Sequence, residues 1–372
     1  MTAEQMLITL CREELCGNAP TEIAVDALPA LQKLAKQQDV SHIVAAALQR
    51  RSVPDRLAAQ LRKEQQLAMY RYERMQHEYE RICTVLGDEK IPYLPLKGAV
   101  VRDYYPQRWM RTSCDIDILV HEEDLDRAVA ALTERLGYQS RNKQYHDVWL
   151  FSENGVHLEL HFSIRENDAR LDPLLSRVWE YAVSEDGVAF CLQPDFFVFH
   201  TVAHMCYHFM GGGCGVRAVM DLWVLRHCMG YDRDAVAALC AACGIDTFFD
   251  AAEQLAEAWF SGAKASPLTE DMGAFILKAG PYGDLEARAA VKRREGGMRY
   301  LWRRVFPTRD SMTLLYPVLK RHPALLLPCY VRRWCGVLNG EKRRRMQREL
   351  QAHVAAGSRS AEVASLFDRL KL

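Results

Sequence analysis

Asp115-Ile116-Asp117-Ile118-Leu119-Val120 sets two carboxylates one residue apart inside an apolar run. In an extended strand, side chains at i and i+2 share a face, so Asp115 and Asp117 project together while Ile116 and Ile118 point into a core. Like charges held that close raise one another's pKa and cost stability unless positive charge stands between them. A divalent cation is the natural counter-charge, since Mg²⁺ is usually held by one or two carboxylates together with substrate phosphates.

Outward from this hexapeptide, the pattern predicts a small sheet. Residues 91–96 are short and apolar, a strand interrupted by Pro92 and Pro95. Residues 98–105 predict a short helix closed by Pro106, and 122–136 a longer one ended by Gly137. Two further strands are expected at 148–151 and 156–162, joined by an Asn154-Gly155 turn of hairpin type. The order strand, helix, strand, helix, strand, strand predicts an α+β module with a small mixed β-sheet.

The flanks read as helical. Leu57, Leu61, Ala68, Tyr72, Met75, Tyr79, Ile82 and Leu86 recur at helical spacings and predict one long amphipathic helix, starting at Asp55 and stopping at Gly87. Beyond Asp172, helices are predicted over 196–210, 217–229, 233–243 and 247–260. The expected organisation is a helical N-terminal region (1–88), an α+β core (89–170) and a helical C-terminal region (171–372).

The 372 residues are 49% hydrophobic with zero net charge, ample for a packed core and without a global bias towards nucleic acid or acidic membranes. Twelve cysteines in a chain of this length do not make a disulfide scaffold. Met1-Thr2-Ala3-Glu4-Gln5 begins no signal peptide, and the apolar stretch 324–331 contains Pro328 and is too short to span a membrane. A cytoplasmic setting is expected. The charge is unevenly placed: residues 288–348 hold 17 Lys and Arg against three acids. Such a tract is either a solvated face or a surface for a phosphate-rich partner, so nucleic acid binding through 288–348 stays open.

Nucleotidyl transfer needs carboxylates for one or two metals, a turn that accepts the triphosphate, and access for an acceptor hydroxyl. Asp115 and Asp117 supply two carboxylates. Glu159, flanked by Leu158 and Leu160 in His157-Leu158-Glu159-Leu160-His161, is the candidate third on a neighbouring strand. Lys97-Gly98 closes the first strand and opens a helix, placing a lysine, backbone N–H groups and a helix start together as a phosphate site. Arg111 lies four residues before Asp115 and could reach a phosphate.

Leu96-Lys97-Gly98, Tyr105-Pro106, Arg111, the Asp115–Val120 strand and Leu158-Glu159-Leu160-His161-Phe162 together resemble the uncharacterised nucleotidyltransferase family of the DNA polymerase β-like superfamily. Lys97-Gly98 stands where Gly-Ser is usual in that superfamily, and the spacer from Gly98 to Asp115 is longer than in most branches. The helical region with Arg217 and Asp221, and the 304–328 segment with Phe306-Pro307 and Tyr316-Pro317, also resemble family members. The resemblance implies a nucleotidyltransferase module flanked by helices, in which Asp115, Asp117 and Glu159 bind Mg²⁺ (or Mn²⁺) and Lys97, Gly98 and Arg111 face an NTP such as ATP. It implies transfer of an NMP to an acceptor, a small molecule, a protein or RNA, with release of pyrophosphate.

Other features carry blander expectations. His200, His204 and His208 share a helix face but lack the Glu of a zinc protease motif, so packing or a substrate-facing role is expected. Cys240 and Cys243 read as buried free thiols. The glycine-rich residues 211–215 read as a mobile inter-helix loop, and Arg217 and Asp221 as an i,i+4 pair. A competing function is a catalytically silent protein of this fold that engages nucleic acid or an acidic partner through its basic C-terminal stretch. The three clustered acids favour catalysis, because a binder has no use for them.

Overall fold

A computed structural model describes residues 1–281, 283, 288, 291, 306–307, 309, 312–313, 316–320, 322–337 and 359–372. A capping box between Thr2 and Gln5 opens α1 (Ala3–Cys16), and Gly17 closes it in the left-handed region at φ 68. Next come α2 (Leu28–Gln37), α3 (Ser41–Gln49) and the 34-residue α4 (Asp55–Asp88). Leu61, Ala68, Met75, Ile82 and Leu86 are its buried stripe, as the periodicity predicts. Gly87 does not stop it. The residue that turns the chain is Lys90 at φ 52, and Ile91 N–H then bonds back to Leu86 at 2.9 Å, which seats the Ile91 side chain in the core.

The sheet follows: β1 (Tyr93–Pro95), the single turn α5 (Gly98–Val101), β2 (Asp115–Val120), α6 (Leu125–Leu136), β3 (Gln139–Lys143), β4 (Asp147–Phe151) and β5 (His157–His161). Its order is β1-β2-β5-β4-β3, with β2 parallel to β5 and the other pairs antiparallel. The sequence gives no signal for β3. Its residues, Gln-Ser-Arg-Asn-Lys, are all exposed on an edge, so neither face needs apolar side chains.

β2 is buried on both faces. Ile116, Ile118 and Val120 join a cluster with Met75, Ile82 and Leu86 of α4 and Leu132 of α6. Leu119, on the opposite face, joins the large cluster. That larger core unites α1–α3 with the helices after the sheet. These are the short α7 (Asp172–Leu175), α8 (Pro194–Met210), α9 (Gly215–Val224), α10 (Arg233–Ala242), α11 (Asp246–Ala256) and α12 (Pro267–Ala279), with α14 (Arg359–Arg369) further on, while α13 (Leu326–Val337) packs in a separate small cluster. Phe209 of α8 meets Phe275 of α12 and Phe367 of α14 in its middle. A hairpin, β6 (Ala182–Ser184) with β7 (Phe190–Leu192), covers the edge beyond β1.

The glycine-rich turn between α8 and α9 is packed rather than mobile. A Cβ on Gly213 would stand 2.5 Å from the Gly280 carbonyl oxygen and 2.8 Å from Gly283 Cα, so the backbone can approach only because the side chain is absent. Gly213→Ala is expected to destabilise by about 1–3 kcal/mol through overpacking against backbone. Gly87→Ala, inside α4 with nothing within 4 Å, is expected to gain about 0.5–1 kcal/mol. Denaturant midpoints of the two variants check both signs; equal midpoints would dispose of the packed-turn account.

Cys240 and Cys243 are buried free thiols, as expected. Most of the basic stretch 288–348, with Tyr300 and Trp302, lies outside the described residues. Phe306 and Tyr330 pack with Met312, Leu319 and Cys329 in a small third cluster. Among the described residues, no helix is long and apolar enough to cross a membrane.

Candidate active site

The parallel pairing of β2 with β5 sets Asp117 beside Glu159 and Asp115 beside His157. With a side-chain period of two, this register puts all four polar groups on one face, while Ile116, Ile118, Leu158 and Leu160 are buried on the other. Asp115, Asp117 and Glu159 form the floor of a cleft of about 530 Å³, and Lys97, Gly98 and Arg111 lie in its lining. The opposite wall comes from α8 and α9.

Asp117 is the deepest of the three carboxylates, 4% exposed. Its Oδ1 accepts from Lys97 Nζ at 2.8 Å and from His161 Nε2 at 2.9 Å. Burial works against its charge, but Lys97 and His161 outweigh it and hold the carboxyl well below the usual range. Glu159 goes the other way: burial, then the charges of Asp117 and Asp115, push it up to about 8. Asp115 is raised by burial and by Asp117. Three acids on one floor therefore carry a proton or need a cation.

Lys97 has φ 45 and ψ −120, outside the ordinary regions for a residue with a Cβ. Its ammonium stands on Asp117, so Lys97 is part of the charge balance of the floor. α5 is one turn long and continues as a 3-10 turn, so it offers backbone groups but little summed dipole.

Arg111 lines the cleft with its guanidinium committed. Nε donates to Asp221 Oδ1 at 2.7 Å and Oδ2 at 2.9 Å, and Nη1 to the Thr112 carbonyl at 2.8 Å. Tyr105 O–H also donates to Asp221 Oδ1, at 2.7 Å. The expected Arg217–Asp221 pair does not form. Arg217 reaches Asp39 at 2.9 Å and the Thr112 carbonyl at 3.1 Å instead. Sequence spacing favoured the helical neighbour, but the chain before β2 brings the better partner to Asp221.

His200, His204 and His208 do face the cleft. His204 Nδ1 bonds Glu166 Oε1 at 2.6 Å, and its Nε2 lies 3.1 Å from His208 Nε2. Burial pushes His200 and His208 down to about 3, with His204 adding to the shift. Burial works against the Glu166 carboxylate, but His204 outweighs it and lowers it to about 2. A carboxyl depressed in the folded state contributes stability above its unfolded pKa of about 4.5, and that contribution is lost as pH falls towards 2. The amount is about 3 kcal/mol, order of magnitude, for a side chain 11% exposed. Glu166→Gln should therefore lower stability at neutral pH and flatten the acid limb between about pH 4.5 and 2, read as thermal midpoint against pH. A parallel limb in the variant would exclude the Glu166–His204 pair as its source.

Glu166, His146, Asp147 and Arg165 are cleft residues that sequence reasoning missed. His146 and Asp147 lie one or two residues before the segment predicted as strand at 148–151, and Arg165 and Glu166 three and four residues after the one at 156–162. Those positions were the available signal.

A parallel strand pair carrying three acids on one face, with a lysine-led turn beside it, defines the class as nucleotidyltransferase. The family model for uncharacterised nucleotidyltransferases matches residues 27–261, more than half of the chain, so the chain belongs to that family. The 304–328 segment, expected to share the resemblance, lies beyond the matched residues. No curated protein matches the chain. Among solved structures, the antibiotic-resistance factor ANT(2'')-Ia is similar at 12% identity, over 44% of this chain and 88% of that one, with a TM-score of 0.33.

Proposed function

We propose that this nucleotidyltransferase moves an NMP from an NTP to an acceptor hydroxyl, with a divalent cation, Mg²⁺ or Mn²⁺, held by Asp115, Asp117 and Glu159. The observation that carries the reading is the register of β2 against β5, which gathers three carboxylates on one floor. The donor set fits such a cation. It is made of hard oxygens crowded enough to oppose each other's charge, and a lysine ammonium already stands 2.8 Å from Asp117. A bound cation would neutralise charge on the triphosphate and orient its α-phosphorus.

The chain's own residues do the remainder. Lys97, released from part of its duty towards Asp117, faces the phosphates with its positive charge. Gly98 keeps the backbone of that turn open beside Arg111 and Ser113. Glu159, beside Asp117 at the edge of the floor, takes the proton of the acceptor hydroxyl. Pyrophosphate leaves as the acceptor oxygen attaches to the α-phosphorus. Residues 89–170 form the module for this step, and α8 and α9 form the wall where an acceptor would be chosen.

The test is incubation of the protein with each α-labelled NTP, Mg²⁺ or Mn²⁺ and a cell extract. One component should become labelled in a metal-dependent way, and the label should be lost in Asp115→Asn. Label transfer that persists in chelator, or in that variant, would overturn the assignment.

A further inference from the structure

β4 enters beside β5 with Asp147 directly opposite His161. His161 donates its Nε2–H to Asp117 Oδ1, because a carboxylate can only accept. The imidazole lone pair is thereby left on Nδ1, and that atom is buried without a hydrogen-bond partner. Asp147 is 3% exposed. Its Oδ2 accepts from Trp149 Nε1 at 3.2 Å, while its Oδ1 is buried and also has no partner. His146 stands next to it, Nε2 at 3.8 Å from Asp147 Oδ2, with its ring parallel to that of His161 at 5.6 Å. One ligand atom from each of the three lies within 4.8 Å of the others.

Leaving a lone pair and a carboxylate oxygen buried without partners is costly, and native sites rarely do so without a reason. Two imidazoles and one carboxylate, converging from the end of β5, the start of β4 and the bend just before it, are the donor set of a borderline cation rather than of Mg²⁺. An imidazole that ligates through one nitrogen commonly donates the other N–H to a carboxylate, which fixes its tautomer. Asp117 does this for His161.

We propose that His146, Asp147 and His161 form a second metal site, for a transition-metal ion of the zinc class, beside the three carboxylates at the β4–β5 end of the floor. The site is distinct from the cation of nucleotidyl transfer and does not rest on that reading. An ion there would tie β4 to β2 through His161 and Asp117, and all three residues line the cleft.

Full-length protein, stripped with a chelator and equilibrated with Co²⁺ as the probe, tests this. One equivalent should be retained, with visible bands of a four-coordinate nitrogen and oxygen site, displaced by Zn²⁺ but not by excess Mg²⁺. His146→Ala and Asp147→Asn should each weaken Co²⁺ binding on the order of tenfold or more, and Asp115→Asn should leave it unchanged. His146 is 35% exposed, so its variant reports even if Asp147→Asn fails to fold. Three results would each overturn the proposal: thiolate-to-cobalt charge transfer, which places the ion on cysteines; loss of binding in Asp115→Asn but not His146→Ala, which places it among the carboxylates; or no retained Co²⁺.

Discussion

Asp117→Asn is expected to cost both turnover and stability, whereas Asp115→Asn, two residues away on the same strand face, is expected to cost turnover alone. Each change removes a charge proposed to hold the cation. The loss of transition-state stabilisation is about 4 kcal/mol, or roughly a thousandfold in rate. The stability effects differ because the two carboxylates have different partners. Asp117 accepts from both Lys97 and His161 while 4% exposed. Neutralising it strands a lysine ammonium in a site where the side chain is only 24% exposed. Breaking such a pair costs about 3 kcal/mol, the low end for buried pairs because of that residual exposure. The Asp115 carboxyl is raised by burial and by Asp117, so its charge is a burden on the fold, and Asn removes a like charge. Thermal midpoints and metal-dependent label transfer, measured on both variants, separate the two effects. If Asp117→Asn melts at or above the wild-type temperature, the Lys97–Asp117–His161 cluster is not the stabilising unit described.

Arg111→Ala is expected to act through the fold before it acts on nucleotide. The Arg111 and Asp221 side chains are 11% and 7% exposed, and Tyr105 shares the carboxylate. Deleting one member of a buried pair costs about 3–5 kcal/mol, mostly because the other charge is left uncompensated. In a chain of this size that corresponds to roughly 5 °C in melting temperature. Asp221→Asn should show a loss of the same order, and the double variant should fall well short of the sum, since the partners form one unit. An Arg111→Ala protein with unchanged melting temperature and weakened NTP binding would instead make Arg111 a phosphate ligand.

Much of the site is legible in sequence because strand periodicity is a local property. Asp115 and Asp117 must share a face wherever the strand lies, and Glu159 between two leucines must do the same on its own strand. What periodicity cannot give is which strands are neighbours, or in what register. A slip of one residue between β2 and β5 would set Glu159 beside a buried isoleucine, and no local signal excludes it. The same limit explains the misassigned partners. Arg217 and Asp221 are one helical turn apart, so local spacing pairs them, yet Arg111 comes 110 residues earlier in the chain and reaches Asp221 first. Gly87 resembled a helix stop, but Lys90 takes the left-handed turn because Ile91 must enter the core. β3 was invisible for the opposite reason, being a polar edge with nothing to bury.

The sequence by itself determined the α+β module between helices, the shared face of the two aspartates, the candidate third acid and the histidine face of α8. All of these follow from repeat distances within single elements, which the backbone enforces without help. Only the tertiary structure decided that Lys97 neutralises Asp117, that Arg111 braces Asp221, and that α1–α3 share one core with the helices after the sheet. It also decided that Asp147, His146 and Glu166 crowd the same cleft. These contacts join residues far apart in sequence, where ordering entropy is repaid by burial and charge pairing, and no local pattern encodes them.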